Sequence, residues 1–496
     1  MRSGGGAAMG RPRGRSRSRG RAGAGGGGGA GGGGGGRVRL AVRGRLYDLT
    51  EWAPRHPGGE GLVRAGAGGD VTALFEAHHA PWVTRFLEGF YVGDAPPPGG
   101  GAAKGLPIDT RRGVEYTSEL GEGQFYRVLK DRVAAHFKAT GRDPSSHPEM
   151  AGKAALILVG LGACYWGAFF WAAPPGGLAG RLALAALFGV FKAEVGVSVQ
   201  HDANHGTGFG RRPAWLCELA GCTLDAVGAS SFMWQQQHVV GHHAYTNTVL
   251  DPDIRVSDRD VRRVAPGQPW WPHHRFQHLY LGVLYGLLSF KSVLLDDFKS
   301  LADGRIGAVP LAPMLGWQRG VFWGGKAWFL LAWYCAPAVG SGLPWAQLAA
   351  LWVLAEFVTG WMLAFLFQVA HVAEGVAWPE VDAEGRARGR SGQGKPGGEG
   401  MGWARAQVET TRNFCVDSWL WMHFSGGLNM QIEHHLFPQI CHCHYRDIAP
   451  IVRRTCREFG VRYEAHDSYW AALRAHFAHL REEGFPTAVP GLADVG

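Results

Sequence analysis

The sequence predicts a compact soluble unit followed by an all-α membrane domain of four transmembrane helices. Three observations predict it: long apolar runs after residue 150, three histidine clusters beside those runs, and a His-Pro-Gly-Gly turn in the segment that precedes them. The chain has 496 residues, 46% of them hydrophobic, which is room for two or three domains. Its mean hydropathy of -0.09 averages concentrated apolar runs with Gly-rich polar stretches, so it does not argue against a membrane protein.

Residues 1–36 form a Gly/Arg-rich tail with seven arginines and no acid. Removing those seven from the net charge of +9 leaves +2 for the rest. The basic balance therefore belongs to the tail and does not call for a nucleic-acid partner on the fold. The tail reads as disordered and solvated. It has the Arg and Ser content of an organelle transit peptide but no amphipathic apolar face, and no secretory signal is visible. The eight cysteines are scattered without a CxxC pair, which argues against a disulfide framework and fits a reducing, cytosol-facing protein. The run Cys441-His442-Cys443-His444 is not read as a zinc site, because neighbouring residues seldom close one tetrahedron and no second half-site is near.

The soluble unit spans 37–94 and ends at the Pro/Gly linker 95–101. A linker and amphipathic helical segment follows to residue 150, helical in pattern over 124–140. The membrane domain covers 151–485, and 486–496 is a short tail. Residues 154–173 are an unbroken apolar run closed by Pro174-Pro175. Residues 182–199, 321–339 and 346–369 are the other spans, each interrupted by charge at Lys192 and Glu194, at Lys326, or at Glu356. Residues 279–295 are apolar on one side and read as an interfacial helix. Residues 379–402 are a polar, Gly-rich insertion. Two crossings precede the first two clusters and two more precede the third, so all histidines fall on the side of the N-terminal unit, taken as the cytosol.

In that unit His56-Pro57-Gly58-Gly59 sets a histidine on a tight turn, where small residues let a flat cofactor approach. Asp70, Thr72 and Phe75 follow, then His78 and His79. Two imidazoles on opposite faces of a heme leave no open position, so the iron shuttles electrons. The segment resembles cytochrome b5 in Tyr47-Asp48, the HPGG turn and GGDVT before Phe75, with Val71 a mild departure. The resemblance implies an α+β fold, heme b, and axial ligands His56 and His79; His78 competes for the second position, and the likeness to fused b5 domains favours His79.

The clusters are His201 and His205 in HDANH, His238, His242 and His243 in HVVGHH, and Gln431, His434 and His435 in QIEHH. Positions four apart on a helix share a face, so His201 pairs with His205 and His238 with His242, leaving His243 to reach a second metal. So many imidazoles exceed one coordination sphere, which makes two metals the economical reading. His423 and His273-His274 are read as structural.

The boxes resemble those of membrane fatty-acid desaturases. Gln431 points to the front-end group, whose members also carry a b5 domain. The likeness extends through 200–206, 228–247, 251–263, 322–329, 407–414 and 425–438. It implies a four-helix membrane domain with a cytosolic helical cap in the endoplasmic reticulum membrane. Two non-heme irons would be held by His201, His205, His238, His242, His243, His371, His434 and His435, with Gln431 a further candidate ligand. Asp202, Asn204, Asn247, Asp251, Asn429 and Glu433 are expected to orient imidazoles. The implied reaction is O2-dependent desaturation of a polyunsaturated acyl chain, on CoA or phospholipid, with electrons from NADH through cytochrome b5 reductase and the fused heme. The wider motifs resemble Δ5 enzymes of twenty-carbon acids, converting dihomo-γ-linolenate to arachidonate and eicosatetraenoate to eicosapentaenoate. Δ6, Δ4 or Δ8 activity (the last including sphingolipid bases), a lipid hydroxylase and an inactive b5-anchored carrier are the competing readings.

Overall fold

The computed structural model describes residues 37–56, 59–79, 83–95, 120–210, 213–254, 260–265, 267–381, 387–388 and 401–485. The arginine-rich tail, Pro57-Gly58 of the turn, the linker from residue 96, most of the 379–402 insertion and the tail from 486 lie outside the described residues.

The N-terminal unit is a three-stranded antiparallel sheet, Arg39–Val42 (β1), Arg45–Asp48 (β2) and Tyr91–Asp94 (β3), in the order β1-β2-β3. The β1-β2 turn needs positive φ at both central residues. Gly44 meets this at φ 71°, and Arg43 adopts 52°, held by its N–H donating to Thr72 Oγ1 at 2.7 Å and by an ion pair with Glu76. Short helices Glu60–Ala65 (α1), Thr72–His78 (α2) and Val83–Leu87 (α3) complete the unit around a core of Leu40, Tyr47, Val63, Phe75 and Leu87.

Leu120–Thr140 (α4) lays Phe125, Leu129, Val133 and Phe137 against Ile448, Val452 and Cys456 to make the core of a helical cap. Four helices are long and apolar enough to cross a membrane: Pro148–Phe169 (α5), Gly177–Asn204 (α6), Pro272–Asp303 (α7) and Trp345–His371 (α9). Leu156, Val159, Leu187 and Val353 stand exposed along them, as an outer face meeting lipid requires. Inside, α6 and α9 approach so closely that a Cβ on Gly189 would sit 2.4 Å from Ala355 O. A buried ion pair joins Lys192 to Glu356, which also accepts from Ser289 Oγ at 2.5 Å and Tyr334 O–H at 3.0 Å. The interrupting charges therefore face protein, not lipid.

The expectation for the interfacial helix needs correction, and the choice of third span needs an argument. The interfacial segment lies in α7, which is long enough to cross, and the expected span 321–339 lies in a continuous helix, 316–340 (α8). Contacts separate the two. Near its start α7 receives the histidine-side cap, with Gln277 Nε2 donating to Leu480 O at 2.7 Å. Just past its end Ile306 packs with Phe232 beside the second cluster. Between these points it dips against α9, where a Cβ on Gly360 would lie 2.5 Å from Gly286 O. By contrast, α8 ends at the far face, where Gly340 meets Phe170 at the end of α5. Since His243 and His371 share one side, a single crossing precedes α9, and the contacts assign it to α8. The segment read as a surface helix is a helix folded into the bundle, with both ends on the histidine side.

Candidate active site

The first two histidine clusters sit where regular helix is distorted. The first follows a π turn at Val195–Val199, and the second has His238 and His242 within one at Gln235–His242 and His243 just past it. Such bulges recur at functional sites because they re-aim side chains without ending the helix. The third cluster is on the short helix Gln431–Leu436, and His371 is the last residue of α9.

These elements converge on two donor sets, every residue of which is buried. His201, His205, His238 and His434 bring ligand atoms within 4.8 Å of one another, and His242, His371 and His435 do the same. His243 stands between the sets, its ring centroid 4.8 Å from that of His434 and 4.5 Å from His435. Its Nε2 is 3.3 Å from His238 Nε2. The expected pairing of His238 with His242 is corrected: they divide between the sets. A π turn underwinds the helix, so their rings lie 5.1 Å apart with planes within 25° yet belong to different donor sets.

Hydrogen bonds fix which nitrogen each ring presents. His238 Nδ1 donates to Asp253 Oδ2 at 2.8 Å and His242 Nδ1 to Asp251 Oδ2 at 2.9 Å. His435 Nδ1 donates to Gln407 Oε1 at 2.8 Å, and His434 Nδ1 lies 3.1 Å from Tyr445 O–H. Asn247 Nδ2 donates to the carbonyl of His371 at 2.9 Å. Among the described residues no hydrogen-bond partner meets either ring nitrogen of His201, His205 and His371, or Nε2 of His242, His434 and His435. Leaving one such buried group unmet costs about 1–3 kcal/mol, so this many in one place fits a donor set built for metal. Burial also lowers the imidazolium pKa of His238 to about 4 and carries His243, His434 and His435 well below the ordinary value. Neutral rings keep the lone pairs that ligation needs. For His242 burial is the largest influence and pulls down, but Asp251 and Asp253 together lift the ring above its ordinary value.

Of the residues expected to orient imidazoles, Asp251 does so directly and Asn247 acts on backbone. The other four hydrogen-bond no ring of the two donor sets. Asp202 accepts from His442 Nδ1 at 2.8 Å, Asn204 joins Gln200 and Gln235, Asn429 joins Ser425, and Glu433 joins Asn413 and Tyr463. Asp253, Gln407 and Tyr445 take that work instead. The stretches 251–263 and 407–414 of the family likeness contain the first two; only folding brings Tyr445 to His434. In the 441–444 run, His442 is fixed between Asp202 and Lys153, and His444 Nε2 donates to Ser146 O at 2.9 Å. His423 meets Glu149 at 3.1 Å and His274 meets Asp260 O at 2.9 Å. All eight cysteines are free. Gln431 is buried, and its Oε1 has no hydrogen-bond partner among the described residues.

In the N-terminal unit the rings of His56 and His79 have centroids 5.9 Å apart. Two imidazoles flanking one iron with metal–nitrogen bonds of about 2 Å require about this spacing. His79 Nδ1 donates to Phe75 O at 3.1 Å and His56 Nδ1 to Gly59 O at 3.3 Å, so Nε2 carries the lone pair in both. The ring of His78 turns the other way and stacks on His205.

The fatty acid desaturase family model matches residues 177–466, and the cytochrome b5-like heme/steroid binding domain matches 33–96. The chain belongs to the fatty acid desaturase family. It is an oxidoreductase with a b5-type domain at its N-terminal end, which implies heme, and with histidine sets suited to iron. It is 45% identical to an acyl-lipid (8-3)-desaturase of Physcomitrium patens over 90% of this chain and 88% of the relative. An acyl-lipid (8-3)-desaturase of Mortierella alpina is 36% identical, over 90% and 93%. Delta(5) fatty acid desaturase A of Dictyostelium discoideum is 31% identical, over 90% of each chain.

Proposed function

We propose that this chain is a front-end acyl-lipid desaturase that introduces the Δ5 double bond into twenty-carbon polyunsaturated acyl chains. Dihomo-γ-linolenate would give arachidonate, and eicosatetraenoate would give eicosapentaenoate. The observation that carries the reading is the pair of buried histidine sets whose unmet nitrogens face one another. The relatives named (8-3)- and Delta(5)-desaturases support the regiochemistry.

His201, His205, His238 and His434 would hold one iron, and His242, His371 and His435 the other. His243 stands where either could use it, and Gln431 offers a buried oxygen at the start of the third cluster. His56 and His79 would hold the heme. When bound, these groups supply O2 activation strong enough to break unactivated C–H bonds and the single-electron steps that feed it. The protein's part is geometry and exclusion of water. Asp251, Asp253 and Gln407 fix ring tautomers, while the buried walls keep the centre dry. Electrons would come from NADH through cytochrome b5 reductase. The site would face the cytosol from the endoplasmic reticulum membrane.

Feeding the two acids to a yeast host that lacks them, then locating new double bonds by mass spectrometry, tests the reading. A Δ5 product is expected. New bonds only at Δ4, Δ6 or Δ8 would replace the regiochemistry, and a hydroxylated product would replace the reaction. No product from a chain loaded with heme and iron would leave the electron-carrier reading.

A further inference from the structure

The helix that ends at His78 is wedged into the cap of the membrane domain. Ala77 belongs to one core with Phe125, Tyr126 and Ile432. Lys130 Nζ donates to Glu76 Oε2 at 3.1 Å. On another side of the same unit, a Cβ on Gly61 would come within 2.8 Å of Gln318 Nε2. Apolar packing, an ion pair and close backbone approach thus define one docked position.

In that position two successive residues face two different centres. His79 faces His56 across 5.9 Å. His78 stacks on His205, centroids 6.1 Å apart and planes within 19°. His78 Nδ1 donates to Leu74 O at 3.0 Å, which fixes the ring on its helix. His205 belongs to the four-histidine set.

We propose that His78 is the bridge by which electrons pass from the heme on His79 to the iron on His205, within one chain; this rests on the ligand assignment given above. Electron tunnelling falls exponentially with distance and passes better through bonded and packed atoms than across gaps. The path here is one peptide link from His79 to His78, then a step to the near-parallel ring of His205, 6.1 Å away between centroids. Each event moves one electron: the heme is oxidised from ferrous to ferric and the non-heme iron is reduced from ferric to ferrous. No bond forms or breaks along the path. A flavoprotein reductase re-reduces the heme, and O2 is the final oxidant. His78 is a positioning residue, since it touches no substrate.

The test uses the full chain in lipid nanodiscs. Heme is reduced anaerobically and mixed with acyl substrate and O2, and its re-oxidation is followed by stopped-flow absorbance. Heme spectrum, heme potential and iron content are measured on the same samples. His78→Ala is expected to slow heme re-oxidation by about tenfold or more with the other three readouts unchanged. His78→Phe, which keeps a flat ring, is expected to restore most of the rate. Wild-type re-oxidation in His78→Ala with heme and iron intact would overturn the bridge alone. Loss of the low-spin heme spectrum in His78→Ala would instead overturn the assignment of His79 as ligand, and the bridge with it. A slow His78→Phe beside a slow His78→Ala would show that an imidazole, not a packed ring, is required, and would overturn the stacking path.

Discussion

Asp251 is the acceptor on which the second histidine set leans. Its carboxylate receives His242 Nδ1 at 2.9 Å, the backbone N–H of Asn247 at 2.9 Å and that of Asp253 at 2.9 Å. It is 3% exposed, so water does not compete. Asp251→Asn keeps the shape and exchanges one oxygen for an NH2 group. All three neighbours are donors, so whichever way the amide turns, at least one donor faces another. That leaves a buried donor unmet, at about 1–3 kcal/mol, and removes the charge that steadies the ring. Losing such an orienting partner typically weakens metal binding by about 10–100-fold, or about 1.4–2.8 kcal/mol. The expected result is selective: iron bound through His242, His371 and His435 is lost to a graded chelator first, while iron in the four-histidine set stays. Iron per chain by mass spectrometry, with Mössbauer spectra of the half-depleted sample, reads this directly. Chelator curves that superimpose on the parent's, in a variant that purifies folded, would refute the role of Asp251. Simultaneous loss of both irons would refute the division into two sets.

His79→Ala should abolish the low-spin six-coordinate heme spectrum, with desaturation falling to the level external donors support; an unchanged spectrum would reject His79 as the ligand. Glu356→Ala leaves Lys192 buried without its carboxylate and should destabilise the detergent-solubilised protein by about 3–5 kcal/mol. The double change Lys192→Met with Glu356→Leu should recover most of that in thermal unfolding, and no recovery would mean the pair is not the cause. Gly189→Leu drives a side chain into Ala355 O, from which even an added Cβ would lie only 2.4 Å away; the strain should cost at least about 1–3 kcal/mol, measured the same way. Glu76→Ala breaks the tie to Lys130 and should lower the intramolecular advantage of the fused donor, read as slower single-turnover heme re-oxidation that added soluble cytochrome b5 relieves.

The sequence by itself determined the chemistry. Histidines at four-residue spacing beside apolar runs, and a His-Pro-Gly-Gly turn ahead of them, are local patterns. Local patterns survive without knowledge of long-range contacts, because spacing on a helix already sets which side chains share a face. The sequence also marked Lys192 and Glu356 as charges that must face protein. Only the tertiary structure decided how the donors divide. A π turn is invisible to a 3.6-residue pattern, so His238 and His242 were expected on one metal and divide between two donor sets. Asp253, Gln407 and Tyr445 reach their imidazoles across 15, 28 and 11 residues of chain, and no spacing rule carries that far. The third crossing was legible as a segment, but its neighbour α7 is longer and apolar enough to cross; contacts at both its ends, not composition, return it to the histidine side. The placing of His78 against His205 is tertiary as well. It depends on one folded unit docking onto another, and every residue that fixes the docking is ordinary when read in sequence.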